Sequence, residues 1–477
     1  MCGFVLGNIF KNKKQFSESL KLIDHRGKDD KGIVYDKETN FWLGHNRLSI
    51  QGLNKESNQP MMKDSYTLVY NGELWNSMNK FKKQFNLSTG SDTELLLEIY
   101  LKEKNDCFKI LDGMFGFAIL DSKDNKLIFA RDFMGRIPLY YYNLNEKIVI
   151  SSELKVISKT FNINASNIDV VEPGNFYIFD IETGNLKKNK FYDFPNYTEL
   201  KEMTEDYATK KLKKLIEDAV DNELISDVPV CTILSGGVDS TIITHILSKR
   251  VKNLEAFVVS VGETGKKDDL YYARKASKEI GIPLHEVILD NDWIDDNTNE
   301  TVYAVEDKSW TQISPAVAQL ALSKKIFDMG YKVVFGGEGS DELFASYGDV
   351  FAWHYKDNDY IKKRYKLITN LHKNNLIRTN KAMMYGGTVE LRTPFLDKKL
   401  VEFCMTIPPK FKKDGNMWKP LLRKSFKGEL SDELLFRPKK TFQEGCHTSY
   451  LKNYKDKIKK YYVNHFEDKN SLEKFME

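Results

Sequence analysis

Cysteine is scarce in this chain. Five in 477 residues (Cys2, Cys107, Cys231, Cys404 and Cys446) are scattered, odd in number and never spaced as CxxC. That argues against a disulfide framework and a cysteine zinc site, and makes a reducing, cytoplasmic setting the expectation. Eight histidines form no HxxxH or HExxH pair, so a histidine zinc centre has no support. No apolar run approaches the roughly 20 residues of a membrane span, and Met1 is not followed by the basic and apolar regions of a secretory leader. Neither sign of charge dominates: 72 basic and 68 acidic side chains leave +4, spread along the chain. This excludes a nucleic-acid stripe and a polybasic membrane anchor as expectations. There is no internal repeat, no low-complexity tract and no GxxxxGKS or GxxxxGKT loop. What is present is an ordinary composition, 41% apolar and 29% charged with a mean hydropathy of −0.48. The length suits about two to three domains, each large enough for its own core.

Periodicity divides the chain. Up to about residue 190, short runs such as Phe41–Leu43, Tyr66–Tyr70, Phe115–Leu120, Leu127–Ala130, Tyr140–Tyr142, Ile148–Ser151 and Asn175–Phe179 are separated by Gly, Asn and Asp, which predicts strands and turns. Ser91-Asp92-Thr93-Glu94, followed by Leu95, Leu96, Ile99 and Tyr100, predicts a capped amphipathic helix. Residues 185–205 carry Lys, Asn, Pro and Tyr without a period and read as a linker. Beyond them the sequence predicts helix Asp206–Leu224, strand Val228–Leu234, helix Thr241–Leu247, strand Ala256–Val261, helix Asp269–Ile280, strand Pro283–Leu289, helix Ser314–Met329 and strand Lys332–Phe335. Strand and helix alternating at this spacing signal a doubly wound parallel sheet. From about residue 350 the pattern is helical and basic. Two domains are expected, 2–190 and 206–477.

Ser235-Gly236-Gly237-Val238-Asp239-Ser240 falls where a buried strand turns into a helix. Adjacent glycines let backbone N–H groups approach an oxyanion, and the helix N-terminus adds its dipole. The serines can donate to phosphate, and Asp239 is placed to hold Mg²⁺ against a pyrophosphate. Gly336-Gly337-Glu338-Gly339-Ser340-Asp341-Glu342 follows a later strand and would set carboxylates beside the first loop if the two strands are neighbours. Read alone, one string is a tight turn and the other an acidic solvated turn. Lys439, in Arg437-Pro438-Lys439-Lys440, is a candidate compensating cation, although by itself it is an ordinary surface lysine. These strings resemble the PP-loop (ATP pyrophosphatase) synthetases, which release pyrophosphate and form an adenylate. Val389-Glu390-Leu391-Arg392-Thr393-Pro394-Phe395-Leu396-Asp397 is similar to a phrase in their asparagine synthetase branch.

The chain starts Met1-Cys2-Gly3. Methionine before a small residue is normally trimmed, and a terminal Cys2 would carry both a thiol nucleophile and an α-amine able to act as its base, with no histidine required. Taken singly, Cys2 reads as chance, Arg47 as a surface residue and Asn71-Gly72 as a type I′ hairpin turn. Taken in order, Arg47-Leu48-Ser49-Ile50, Gln59-Pro60-Met61, Asn71-Gly72-Glu73, Ser91-Asp92-Thr93-Glu94 and Leu111-Asp112-Gly113-Met114-Phe115 resemble the motifs of class II (Ntn-type) glutamine amidotransferases. The joint order, covering nearly the whole chain, is similar to the glutamine-hydrolysing asparagine synthetases.

The resemblance implies an Ntn-type αββα sandwich followed by a doubly wound α/β PP-loop domain with a helical C-terminal part. It implies that Cys2 attacks glutamine, Asn71 and Gly72 form the oxyanion hole, and Arg47, Ile50, Asn71, Glu73 and Asp92 hold the substrate. Ammonia would pass through an internal tunnel to a site where ATP, Mg²⁺ and aspartate form β-aspartyl-AMP. Leu234, Ser235, Gly236, Gly237, Asp239, Ser240, Val259, Gly336 and Gly337 match nucleotide-binding positions, and Asp239 and Asp341 match metal positions. Glu338 matches a proton-handling residue and Lys439 a pyrophosphate-stabilising one. The implied partners are small molecules, with neither nucleic acid nor membrane, and a homodimer is compatible with the resemblance.

The match is weaker in places. Trp310-Thr311-Gln312-Ile313-Ser314-Pro315-Ala316-Val317 has no arginine where this branch usually carries an Arg-Ala-Ser-type segment, which leaves another carboxylic acid open as the acceptor. Phe344-Ala345-Ser346-Tyr347 replaces the commoner Phe-Gly-Gly-Tyr, and the chain is shorter than typical members. An RNA-modifying PP-loop protein and a non-catalytic scaffold are the rival classes. The absence of a role for the N-terminal half counts against the first, and intact residues at both sites count against the second.

Overall fold

The computed structural model describes residues 1–195, 202–262, 268–344, 346, 365–415, 417–438 and 448–467. Strands β1 (Gly3–Gly7), β2 (Asp30–Asp36), β3 (Phe41–Arg47), β4 (Met61–Lys63), β5 (Tyr66–Leu74), β6 (Gly113–Asp121), β7 (Lys126–Arg131), β8 (Tyr140–Leu144), β9 (Lys147–Ser151), β10 (Asp169–Val170), β11 (Asn175–Asp180) and β12 (Leu186–Lys190) build two six-stranded sheets. Their orders are β10-β8-β9-β1-β3-β2 and β12-β11-β7-β6-β5-β4, with antiparallel neighbours throughout.

The period of two decides how these sheets stack. Phe4 and Leu6 of β1 meet Ala118, Leu120 and Phe129 of the second sheet in the space between them. Val5 points the other way, into a layer shared with Phe16, Leu20, Val156 and Ile157 of helices α1 (Lys13–Lys21) and α4 (Leu154–Phe161). Phe117 and Ile119 of β6 meet Leu95, Leu96 and Ile99 of α3 (Asp92–Glu103), beside which lies α2 (Asn79–Phe85). The result is a helix–sheet–sheet–helix sandwich. Each phenylalanine fully buried in it contributes about 1.5–3 kcal/mol.

One local reading and one expectation change here. Asn71-Gly72 is not a hairpin turn: β5 continues through it, with Asn71 opposite Gly116 and Gly72 opposite Phe115. The segment read as a linker begins as strand β12, paired with β11, and residues 196–201 of it lie outside the described residues.

After helix α5 (Glu205–Glu223), the alternation is β13 (Val230–Ile233), α6 (Val238–Ser248), β14 (Ala256–Val261), α7 (Asp269–Ile280), β15 (Leu284–Leu289), α8 (Asn291–Val305), α9 (Trp310–Asp328) and β16 (Val333–Phe335), with β17 (Glu390–Arg392) added last. The five strands run parallel in the order β15-β14-β13-β16-β17. Helices α6 and α7 pack on one face and α9 on the other. Helix α9 begins at Trp310, a turn before the expected Ser314, so Trp310–Val317 is helical and Pro315 lies inside the helix. The strand order switches direction between β13 and β16, and ligands of open parallel sheets bind beyond the carboxyl ends at such a switch. No helix among the described residues is long and apolar enough to cross a membrane.

Candidate active sites

Cys2 stands immediately before β1. Its Sγ accepts the Leu48 N–H at 3.4 Å and lies 3.7 Å from the Leu48 carbonyl, just beyond the end of β3. Arg26 donates to the Cys2 carbonyl at 2.9 Å and to Glu153 at 2.8 Å, which fixes the backbone at Cys2. Burial pushes the thiol up to about 11, and the terminal ammonium and the charge of Arg47 pull the other way. The amine of the chain's first residue, on Met1, is itself lowered by burial, although Glu390 lies 3.5 Å from it.

Asn71 is fully buried, and neither its amide nitrogen nor its amide oxygen has a hydrogen-bond partner. An orphaned buried amide in a native interior calls for a ligand or a role. Gly72 adopts φ 151°, and a Cβ there would sit 2.1 Å from the Met114 carbonyl, so only glycine allows β5 and β6 to approach this closely. Asn71 supplies an amide donor and Gly72 a backbone N–H on a strand that packs against β1 and β3.

Arg47, at the end of β3, closes its fork on the following loop. It donates to the Asn54 carbonyl at 2.9 Å and also to Asn58 and the Gly52 carbonyl. Ile50, in the same loop, is buried. Glu73 accepts from Gln51, and its carboxyl is pushed up by burial and by the nearby Glu390 and Asp92. Asp92 accepts from the Tyr70 hydroxyl at 2.9 Å and the Leu74 N–H at 3.1 Å. The charges of Arg47 and Glu73 both reach the Cys2 thiol, the first lowering and the second raising it.

The parallel sheet enters this neighbourhood. Arg392 of β17 lies 3.5 Å from Glu73 and 2.9 Å from Glu390, and it also donates to the Glu223 and Ile225 carbonyls. The guanidinium groups of Arg136 and Arg392 lie 5.5 and 6.0 Å from the centre of the Trp75 ring. Sequence reasoning used Glu390 and Arg392 only as a family phrase and missed this contact.

The second site lies where β13 and β16 pair, with Cys231 opposite Val334 and Thr232 opposite Phe335. The neighbourhood expected of these strands is therefore present. Helix α6 starts directly after Gly237, which puts Asp239 and Ser240 in its first turn. A Cβ at Gly337 would come within 2.9 Å of the Ser240 nitrogen and 3.0 Å of the Asp239 Cβ, so the two loops touch. Ser235 and Ser240 hydroxyls are 3.0 Å apart, and Ser340 donates to Asp239 at 2.8 Å.

A cavity of about 340 Å³ opens here, lined by Ser235, Gly237, Asp239, Ser240, Gly337, Glu338 and Asp341 among others. Leu234 and Val259 are buried in the flanking cores, and Gly236 and Gly336 belong to the two loops. Glu338 is half-buried, its Oε2 is sealed from solvent and unpartnered, and desolvation raises its carboxyl. Lys439 lies outside the described residues.

Four cations in this cavity were missed by sequence reasoning: Lys419, Arg378, Arg423 and Arg437. Lys419 Nζ is 2.6 Å from Asp239 Oδ2 and 2.6 Å from Asp341 Oδ1. Burial alone would lower this amine, but the two carboxylates outweigh it and hold it above its ordinary value. Arg378 donates to Asn375 at 3.0 Å and to Gln312 at 3.4 Å. A guanidinium thus reaches the Trp310–Val317 segment from a different helix, Asn375–Gly387. Arg437 is paired with Asp269 at 2.6 Å. Lys419, Arg378 and Arg423 come from segments far along the chain with no local signature, whereas Arg437 stands in the string singled out for Lys439.

The donor set also fits a magnesium ion that arrives with phosphate. Asp239 and Asp341 converge on one cation, and the described residues gather no cage of three or more acidic, histidine or cysteine side chains. Mg²⁺ is typically held by one or two carboxylates, with substrate phosphates and waters completing its octahedron.

Together, the fold and the two sites define an amidotransferase unit joined to a nucleotide-dependent synthetase unit. The family model described as glutamine amidotransferase domain matches residues 1–187, and the one described as asparagine synthase matches 211–364 and 356–474. Asparagine synthetase B (glutamine-hydrolyzing) of Escherichia coli K12 is 31% identical over 466 residues, covering 93% of this chain and 81% of that protein. The glutamine-hydrolyzing asparagine synthetase of Sandersonia aurantiaca is 30% identical over 498 residues, covering 99% and 91%. Asparagine synthetase 3 of Arabidopsis thaliana is 30% identical over 489 residues, covering 97% and 82%. The chain belongs to the glutamine-hydrolysing asparagine synthetase family.

Proposed function

We propose that this chain makes asparagine from aspartate, glutamine and ATP, using two domains, 2–190 and 206–477. With Met1 removed, the Cys2 amine takes the thiol proton and the sulfur attacks the glutamine amide carbon. The oxyanion is held by the Asn71 side chain and the Gly72 N–H. The C–N bond breaks, ammonia leaves with the proton, and water releases glutamate from the γ-glutamyl thioester. Arg47 binds the glutamine carboxylate through its fork, Ile50 packs beside it, and Glu73 and Asp92 accept from its ammonium.

At the second site the aspartate β-carboxylate attacks the α-phosphorus of ATP and pyrophosphate leaves. Ser235, Gly236, Gly237, Ser240, Gly336 and Gly337 cradle the phosphates, and Leu234 and Val259 bound the nucleoside end. Asp239 and Asp341 would hold Mg²⁺, which when bound would supply positive charge to the leaving pyrophosphate. Lys439 adds a further cation. Ammonia attacks the β-aspartyl carbonyl, AMP departs, and Glu338 takes the surplus proton. Its carboxyl, raised above the usual carboxylate value by burial, is the better able to hold that proton.

The observation that carries this reading is the convergence of Asp239 and Asp341 beside the Ser235–Gly237 loop, in a cavity of about 340 Å³. Aspartate is favoured over another acid because Arg378 supplies the cation that Trp310–Val317 lacks. The test is stoichiometry with ATP, Mg²⁺, glutamine and a panel of dicarboxylic acids. Asparagine, AMP, pyrophosphate and glutamate in equal amounts are expected. Glutamate without pyrophosphate for aspartate, but with it for another acid, would replace the acceptor. The enzyme's expected setting is the cytoplasm.

A further inference from the structure

We propose that Lys419 is a built-in competitor for the metal position: its ammonium and a divalent cation are alternative occupants of the same two carboxylates. Metal binding then releases the ammonium to the pyrophosphate oxygens. This rests on the metal–pyrophosphate reading above.

The geometry is specific. Nζ lies 2.6 Å from Asp239 Oδ2, 2.6 Å from Asp341 Oδ1 and 3.2 Å from Ser340 Oγ, so all three of its donors are used on the residues assigned to the metal and their neighbour. A magnesium ion needs the same oxygens at about 2.0–2.1 Å, which leaves no room for an ammonium between them. Charge points the same way. Two carboxylates and Lys419 sum to −1, whereas two carboxylates and Mg²⁺ sum to zero and set free one positive charge.

The backbone does not need to move for the exchange. The Lys419 N–H is bonded to the Lys412 carbonyl at 3.1 Å, and Pro420 fixes the start of the helix Pro420–Ser425 directly after it. Only the long side chain has to swing. The direction is set by the phosphate loop, since Ser240 contacts Ser235 and Ser340 contacts both Asp239 and Lys419. A metal arriving alone must displace an ammonium that then has no anion. A metal arriving with pyrophosphate brings that anion with it, so the two ligands bind cooperatively through Lys419.

Equilibrium dialysis of the full chain with Mn²⁺, with and without inorganic pyrophosphate, tests this without turnover. Wild type is expected to retain Mn²⁺ weakly alone and strongly with pyrophosphate. Lys419→Met is expected to retain Mn²⁺ alone at least about tenfold more tightly and to lose most of the pyrophosphate enhancement, a coupling within the ordinary 5–150-fold range. Lys419→Arg, which keeps the charge, is expected to stay weak with Mn²⁺ alone. Circular dichroism checks folding, and Lys419→Gln serves if the methionine variant unfolds. Equal Mn²⁺ affinity in wild type and the neutral variants overturns the proposal. Failure of wild type to retain Mn²⁺ even with pyrophosphate overturns the metal–pyrophosphate reading itself.

Discussion

Glu73 and Arg392 meet at 3.5 Å, although one lies on the strand that carries Asn71 and Gly72 and the other on the last strand of the parallel sheet. Arg392 also holds Glu390, which in turn faces the amine of the first residue at 3.5 Å. The surroundings of Glu73 and the first residue are therefore built in part by the last strand of the parallel sheet. A buried guanidinium shared among carboxylates is a constraint, because removing it leaves charges with no water to take its place.

Arg392→Leu is expected to destabilise the protein by about 3–5 kcal/mol, the cost of breaking a buried ion pair from one side. Because the lost partner serves Glu73, glutamine kcat/KM should fall as well. Denaturant unfolding and a glutaminase assay on the same preparation read both effects. Unchanged stability would mean that the arginine is replaceable by packing.

Asn71→Ala should cut kcat for glutamine hydrolysis by about 100–1,000-fold, or about 2.7–4 kcal/mol, with little change in KM, as expected for a donor used only in the transition state. A rise in KM alone would move Asn71 from the oxyanion to substrate binding.

The pH profile follows from the base that the thiol requires. Burial lifts the Cys2 thiol to about 11, so the proton must pass to the α-amine that Cys2 carries once Met1 is removed, a group whose ordinary value is about 7.7–8.0. Only the neutral amine accepts a proton, so the rate must rise as pH rises through the amine's value. Glutamine kcat/KM is expected to climb to a plateau with its midpoint near pH ~8. A rising limb near pH 11 would show that the thiol ionises unaided.

Gly337→Ala should act on one site only. Its Cβ would sit 2.9 Å from the Ser240 nitrogen, forcing the two phosphate-facing loops apart. A misplacement approaching 1 Å costs up to about 100-fold, so the KM for ATP should rise at least about tenfold while glutamine hydrolysis is unchanged. Steady-state kinetics on each half-reaction separates the two.

Much of this architecture was legible in the sequence. The period-two runs gave the sandwich strands, and α7 begins and ends at the expected Asp269 and Ile280. The loops after β13 and β16 stood out because glycines and carboxylates cluster at strand ends. Other features were hidden for physical reasons. Asn71-Gly72 favours a turn locally, but pairing along all nine residues of β5 overrides it. Strand β12 (Leu186–Lys190) is a lysine-rich edge with no apolar alternation, the form that protects an edge from further pairing. Lys419 sits 180 residues beyond Asp239 in a lysine-rich segment, and nothing short of the folded chain distinguishes it from its neighbours. Trp310 starts α9 without a side-chain cap, so that helix announced itself a turn late.

The most direct test of the two-site account is product analysis of Cys2→Ala with ATP, Mg²⁺ and aspartate, with glutamine and then with ammonium. The account predicts glutamine-dependent asparagine falling by at least about 1,000-fold, with ammonium restoring asparagine and pyrophosphate in equal amounts. Asparagine formed from glutamine by the variant, or no rescue by ammonium, would contradict it.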